Sequence, residues 1–137
     1  MLVQDVEILD NLNITRRKSK KTQIFLYDTQ RRLDDFLSKM KYRLNGKYED
    51  VPHYVISKLG VVYQLFDTDH SSNTFNDPQI DKKQIKIAVE NLGWLNKDTI
   101  TGVLYNWIGD PYRGEPHIRN WRNYYFWDVY SETQLKS

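Results

Sequence analysis

The chain contains no cysteine, and that single absence removes disulfides, thiolate nucleophiles and thiolate zinc ligands together, leaving His, Asp and Glu as its strong metal ligands. Glycine and proline are scarce, six and four among 137 residues, which excludes a low-complexity or linker-dominated chain. No apolar run approaches the roughly 20 residues needed to span a bilayer, so no membrane partner is expected. The first ten residues carry Asp5, Glu7 and Asp10 where a signal peptide is positive and then apolar. A net charge of +2, from 20 basic against 18 acidic residues, is too balanced to point to nucleic acid.

What remains is a compact composition, 39% hydrophobic and 14% aromatic, in a length that suits one domain burying roughly two-thirds of its unfolded surface. Residues 1–21 read as an N-terminal arm able to dock on a protein partner. Its end, Arg16-Arg17-Lys18-Ser19-Lys20-Lys21, reads as a solvated linker in preference to a phosphate or anionic-polymer contact. Residues 22–137 form the domain. Ile24-Phe25-Leu26-Tyr27 is a brief run of β-formers and predicts a buried strand. Asp28 and Thr29 then offer helix caps, and Leu33, Phe36, Leu37, Met40 and Leu44 repeat at helical spacing until Asn45-Gly46 supplies a stop.

Ser57-Lys58-Leu59-Gly60 reads as the turn of a hairpin, and residues 67–82 as a polar loop. Ile85, Ile87 and Val89 alternate with Lys86, Ala88 and Glu90, the two-residue period of a strand with one buried face. Between Thr99 and Trp127 the text is aromatic and irregular, and is expected to be an insertion or lid. Ser131-Glu132-Thr133-Gln134 has the capping-box form with three residues after it, so this turn docks on the domain or the protein continues beyond it. The expected fold is α/β: a mixed central β-sheet flanked by helices, built from strands near 23–27, 53–58, 61–66 and 84–90, with the helix of 30–44 on one face.

In the order Ile24 to Thr29, His53 to Leu65, Ile85 to Trp94 and Trp121 to Gln134, the chain resembles the zinc-dependent N-acetylmuramoyl-L-alanine amidases of the amidase type 2 fold, particularly bacteriophage and bacterial forms. The resemblance rests most on the His53-Tyr54-Val55-Ile56 strand with its turn glycine, Gly60, and on Ile85-Lys86-Ile87-Ala88-Val89-Glu90-Asn91 leading into Leu92-Gly93-Trp94-Leu95. It implies a domain related to peptidoglycan, from a phage or prophage, with bacterial cytoplasm or a virion as its location. Such enzymes cut the amide between the lactyl group of N-acetylmuramic acid and L-alanine with a zinc-bound water, which needs three protein ligands and an open position.

The resemblance also implies where that chemistry departs. Tyr27 occupies the position of the first zinc ligand, in Tyr27-Asp28-Thr29, and a phenol with a pKa near 10 is a poor substitute. The segment that supplies the other two ligands has no counterpart before Ser137. No metal or other cofactor is therefore expected, with zinc returning only if the protein is an active amidase. Glu90 matches an acidic position that helps to activate water and is the catalytic candidate; a strand-end carboxylate bonded to neighbouring backbone or to an Arg is the plainer role. His53, His70, Trp94 and Arg122 are the candidate substrate-binding residues. Tyr and Trp faces in the insertion can stack on sugars, while Arg113, Arg119 and Arg122 suit the carboxylates of a muropeptide stem. Aromatics at this density more often fill a core or an interface with a protein partner. Three functional expectations result: an amidase-like domain whose lost zinc site leaves a binding or structural role, the N-terminal part of an active amidase, or a structural component of a virion or secretion assembly.

Overall fold

The computed structural model of the protein describes residues 3–5, 14–15, 17–42, 51–121 and 124–136. In chain order the elements are β1 (Val3–Asp5), β2 (Ile14–Thr15), β3 (Gln23–Asp28), α1 (Leu33–Tyr42), β4 (Tyr54–Ile56), β5 (Val62–Gln64), β6 (Ser71–Ser72), α2 (Pro78–Asp81) and β7 (Gln84–Val89). They continue with β8 (Trp94–Lys97), β9 (Leu104–Tyr105), β10 (Pro111–Tyr112), β11 (His117–Trp121), β12 (Tyr124–Trp127) and α3 (Glu132–Leu135). The class is mixed α/β. Among the described residues no helix is long and apolar enough to cross a membrane. Leu44 and the stop at Asn45-Gly46 lie outside the described residues.

The first sheet runs β1-β5-β4-β7-β3. Its centre is parallel, β4 on β7 and β7 on β3, and the β4–β5 hairpin turns through Ser57–Gly60, where Gly60 adopts φ 82° and Ser57 N–H donates to Val61 O at 2.9 Å. One face carries α1. Phe36, Val51, Val55, Leu65, Phe66 and Ala88 form the buried core there, with Leu33, Leu37 and Tyr27 packed against it. Leu33, Phe36 and Leu37 of the apolar stripe read at helical spacing thus pack against the sheet.

The strand over 84–89 forms where the alternation places it, but its buried face is the other one. Ala88 and Lys86 are fully buried beneath α1 and the 71–81 segment, whereas Ile85, Ile87 and Val89 are only half-buried on the opposite face. The reason is a counter-ion. Lys86 Nζ lies 2.6 Å from Asp81 Oδ1 and 3.0 Å from Ser72 O, so its ammonium has partners inside the protein. The expected flanking by helices is also one-sided: on the register of β3 and β7, Ile24 and Leu26 share the Ile85, Ile87 and Val89 face, and they are 68% and 63% exposed.

Two further expectations change. The described strands of the expected arm pair with the domain: β1 extends the first sheet beside β5, and β2 pairs with β6, inside what was expected to be a polar loop. The supposed insertion is a second sheet, β10-β9-β8-β12-β11, antiparallel throughout. Its β9–β10 turn reaches back to the first unit, where Trp107 Nε1 and Asn106 Nδ2 donate to Gln30 O at 2.9 and 3.3 Å and the Arg31 guanidinium lies 4.7 Å from the Trp107 ring centroid. The last turn docks, as one of its two readings had it. Ser131 and Gln134 complete both bonds of the capping box, and Gln134 Nε2 donates to Glu90 O at 2.7 Å.

Candidate functional site

The sequence candidates separate into two groups at opposite ends of β7. His53 sits at the level of Lys86, whose N–H donates to His53 Nδ1 at 3.0 Å; Nε2 therefore carries the proton and bonds to His70 O at 2.7 Å. The ring is wholly buried, and burial holds its pKa down at about 4. With both nitrogens engaged and no exposed surface, His53 has nothing to offer a substrate; its role is to join the 51–53 segment to β7 and to the turn at His70. Glu90 is four residues further on, about 13 Å along the strand.

Glu90 is held by backbone. Its Oε2 accepts from Leu33 N–H and its Oε1 from Lys58 N–H, both at 2.8 Å. The first bond places a carboxylate at the start of α1, where the helix has free N–H groups and a favourable dipole. The Asp28 and Thr29 caps expected from sequence are thus replaced by a residue from β7's end. Tyr27 stacks on Phe25, ring centroids 5.3 Å apart, and packs against the core under α1. Trp94 lies opposite Trp127 in the β8–β12 ladder. Arg122 lies outside the described residues.

What the C-terminal ends of β3 and β7 do assemble is a polar cleft that only part of the sequence reading anticipated. Asp128, following β12, is buried and accepts from Leu92 N–H at 2.7 Å and from Lys58 Nζ at 3.0 Å. Two cavities adjoin it, of about 320 Å³ and 330 Å³. The first is walled by Arg32, Lys58, Glu90 and Tyr112; the second by Asp28, His117, Arg119, Trp127 and Tyr130. Tyr130 Oη donates to Asp28 Oδ1. Burial pushes the Asp28 carboxyl above the usual carboxylate range, although the Tyr130 hydrogen bond pulls the other way. Burial, followed by the Asp28 bond and charge, pushes the Tyr130 phenol up.

Chemically, this cleft offers an aromatic face, an imidazole, a guanidinium and an acid–phenol pair, a set suited to binding polar, carboxylate-bearing or sugar-bearing ligands. Of the positions that the resemblance links to zinc, Tyr27 packs against the core and both His53 nitrogens are engaged, and among the described residues no group of three or more His, Asp or Glu side chains could hold a metal ion. Asp28, Asp128, Lys58 and Tyr130 were not anticipated. The available signal was Asp128-Val129-Tyr130 directly before a capping box, polar residues where the chain must return to the sheet. Compared with family models, with curated proteins and with solved structures, the chain matches none, so its function is argued from this geometry and from the motifs that carry the resemblance.

Proposed function

We propose that this chain is a peptidoglycan-related, amidase-like domain of phage or prophage origin that binds its ligand without cleaving it. The observation carrying this reading is Glu90: the carboxylate that the resemblance matches to a water-activating position is held by two backbone N–H groups and fastens α1 and the 57–60 turn to the sheet. A carboxylate so engaged is a poor general base. The binding element is the cleft beside it, with Trp127 to stack on a sugar or peptide plane and Arg119 and His117 to meet stem carboxylates.

The test is sedimentation of the chain with purified peptidoglycan, alongside a muropeptide digestion with and without added zinc. Retention on peptidoglycan, weakened roughly tenfold by Trp127→Ala, with no stem peptide released is the expected result. Release of stem peptides would overturn the non-cleaving reading, and absence of any retention would overturn the cell-wall one. A second reading, a structural component of a virion or secretion assembly, is favoured by Ile24 and Leu26, which expose an apolar stripe on an edge strand.

A further inference from the structure

The basic run that the cell-wall reading leaves unused meets a second one in space. Arg17, Lys18 and Lys20 precede β3, while Lys82 and Lys83 follow α2, and all five line a cavity of about 670 Å³. The fold holds the two runs together deliberately. Ser19 Oγ donates to Lys82 O at 2.7 Å, Lys21 Nζ donates to the same oxygen at 2.9 Å, and Thr22 N–H donates to Lys83 O at 2.9 Å. These bonds, one between backbones and two from side chains to backbone, hold the two runs side by side and leave the five cationic side chains exposed.

Nothing on the wall neutralises them. None of the five makes an ion pair with a described residue. Asp81 is the acid on the wall, but its Oδ1 is taken by Lys86 Nζ and Phe75 N–H, and its Oδ2 by Asp77 N–H. Asp69 lies nearby, close enough to Lys21 to act on its charge, yet outside the lining. Lys21 itself is pushed below the usual lysine range by burial and then by the positive charge of Lys86, as expected where cations crowd. Hydroxyls complete the wall: Thr15, Thr22, Ser71 and Ser72.

Concentrated cations, neighbouring hydroxyls and a concave shape of small-molecule size are the features that recognise phosphate groups. The wall contains no aromatic side chain, and so lacks the stacking platform with which proteins hold single-stranded nucleic acid. We infer that this cavity is a binding site for a small ligand carrying two or more phosphates, read through its phosphates by Arg17, Lys18, Lys20, Lys82 and Lys83. The site is separate from the Asp128 cleft, since none of its lining residues is shared with that cleft.

The experiment is calorimetric titration of the full chain with inorganic tripolyphosphate at about 0.15 M salt, where weak surface attraction is screened. Saturable one-to-one binding is expected, at least roughly tenfold weaker in Lys82→Glu and, separately, in Lys83→Glu, and unchanged in Arg113→Glu, an equal reversal of charge just after β10. Circular dichroism of the variants confirms that they are folded. A parallel titration with ATP separates the sources: similar affinity for the two identifies a bare polyphosphate signature, and tighter binding of ATP identifies a nucleotide. No saturable binding by the unaltered chain, equal weakening by Arg113→Glu, or tighter binding of a single-stranded oligonucleotide with affinity growing with its length would each overturn the inference.

Discussion

His53 and Lys86 meet back to back, and each inverts what its residue type ordinarily does. A histidine held near pKa 4 is neutral in the fold, while in the unfolded chain it takes up a proton below about 6.5. Between those values the unfolded state binds more protons, so stability falls as pH drops from about 6.5 to about 4 and is fully present above 6.5. At about 1.4 kcal/mol per unit the loss is roughly 3 kcal/mol. Asp28, whose carboxyl is raised, acts in the opposite sense at the acid end, so the comparison that isolates His53 is with His53→Gln. Urea denaturation at about pH 7.5 and 4.5 should show a smaller pH slope in that variant. For Lys86, the expected outcome of Lys86→Met is a loss of about 3–5 kcal/mol in the same assay, because Asp81 is left charged and buried; adding Asp81→Asn should restore part of it. Alternation in the sequence revealed the strand but was blind to this pair, since periodicity records polarity and not the presence of a counter-ion five residues earlier.

At the level of elements, what was legible was local chemistry. The Ser57–Gly60 turn, the Leu33, Phe36 and Leu37 part of the α1 stripe and the Ser131–Gln134 capping box each depend on neighbours within four residues, and each formed where the sequence placed it. The second sheet was missed because β9 and β10 are two residues long, too short to show a period. Its turns were nonetheless written in the chain: Asp98 Oδ1 accepts from Ile100 and Thr101 N–H, and Asn106 Oδ1 from Ile108 and Asp110 N–H, two side-chain-closed turns at a regular interval. The site was less legible than the fold, since Asp28, Lys58 and Asp128 converge from three separate elements. One position ties these elements together. Gly93 has φ 78°, and a Cβ there would sit 3.3 Å from Gln30 Cγ, in the turn that Trp107 and Asn106 grip. Gly93→Ala should therefore cost about 1–2 kcal/mol, measured by thermal or chemical unfolding, more than an exposed glycine replacement.

On the scale of the whole molecule, the face of the first sheet opposite α1 leaves its outer strand exposed. Ile24 and Leu26 lie on its outer strand, beside half-buried Ile85, Ile87 and Val89, and exposed apolar surface of this kind is a candidate for contact with a partner or a second copy. Replacing both Ile24 and Leu26 by lysine should change unfolding stability by no more than about 0.5 kcal/mol, because little burial is lost. In sedimentation velocity, concentration-dependent association of the unaltered chain should disappear in that variant; association that persists would place the contact elsewhere.

The parallel pairing of β3 also sets a timetable. Gln23 pairs with Gln84, 61 residues later in the chain. At roughly 5–20 residues per second of synthesis, the Gln23–Asp28 segment waits roughly 3 to 12 s before its only strand neighbour among the described residues exists. Throughout that interval an apolar, β-prone stretch is present with both edges bare, the condition under which nascent chains aggregate. The lysines and arginines just upstream stand where charged gatekeepers flank an aggregation-prone strand, so removing their charge should raise aggregation during synthesis.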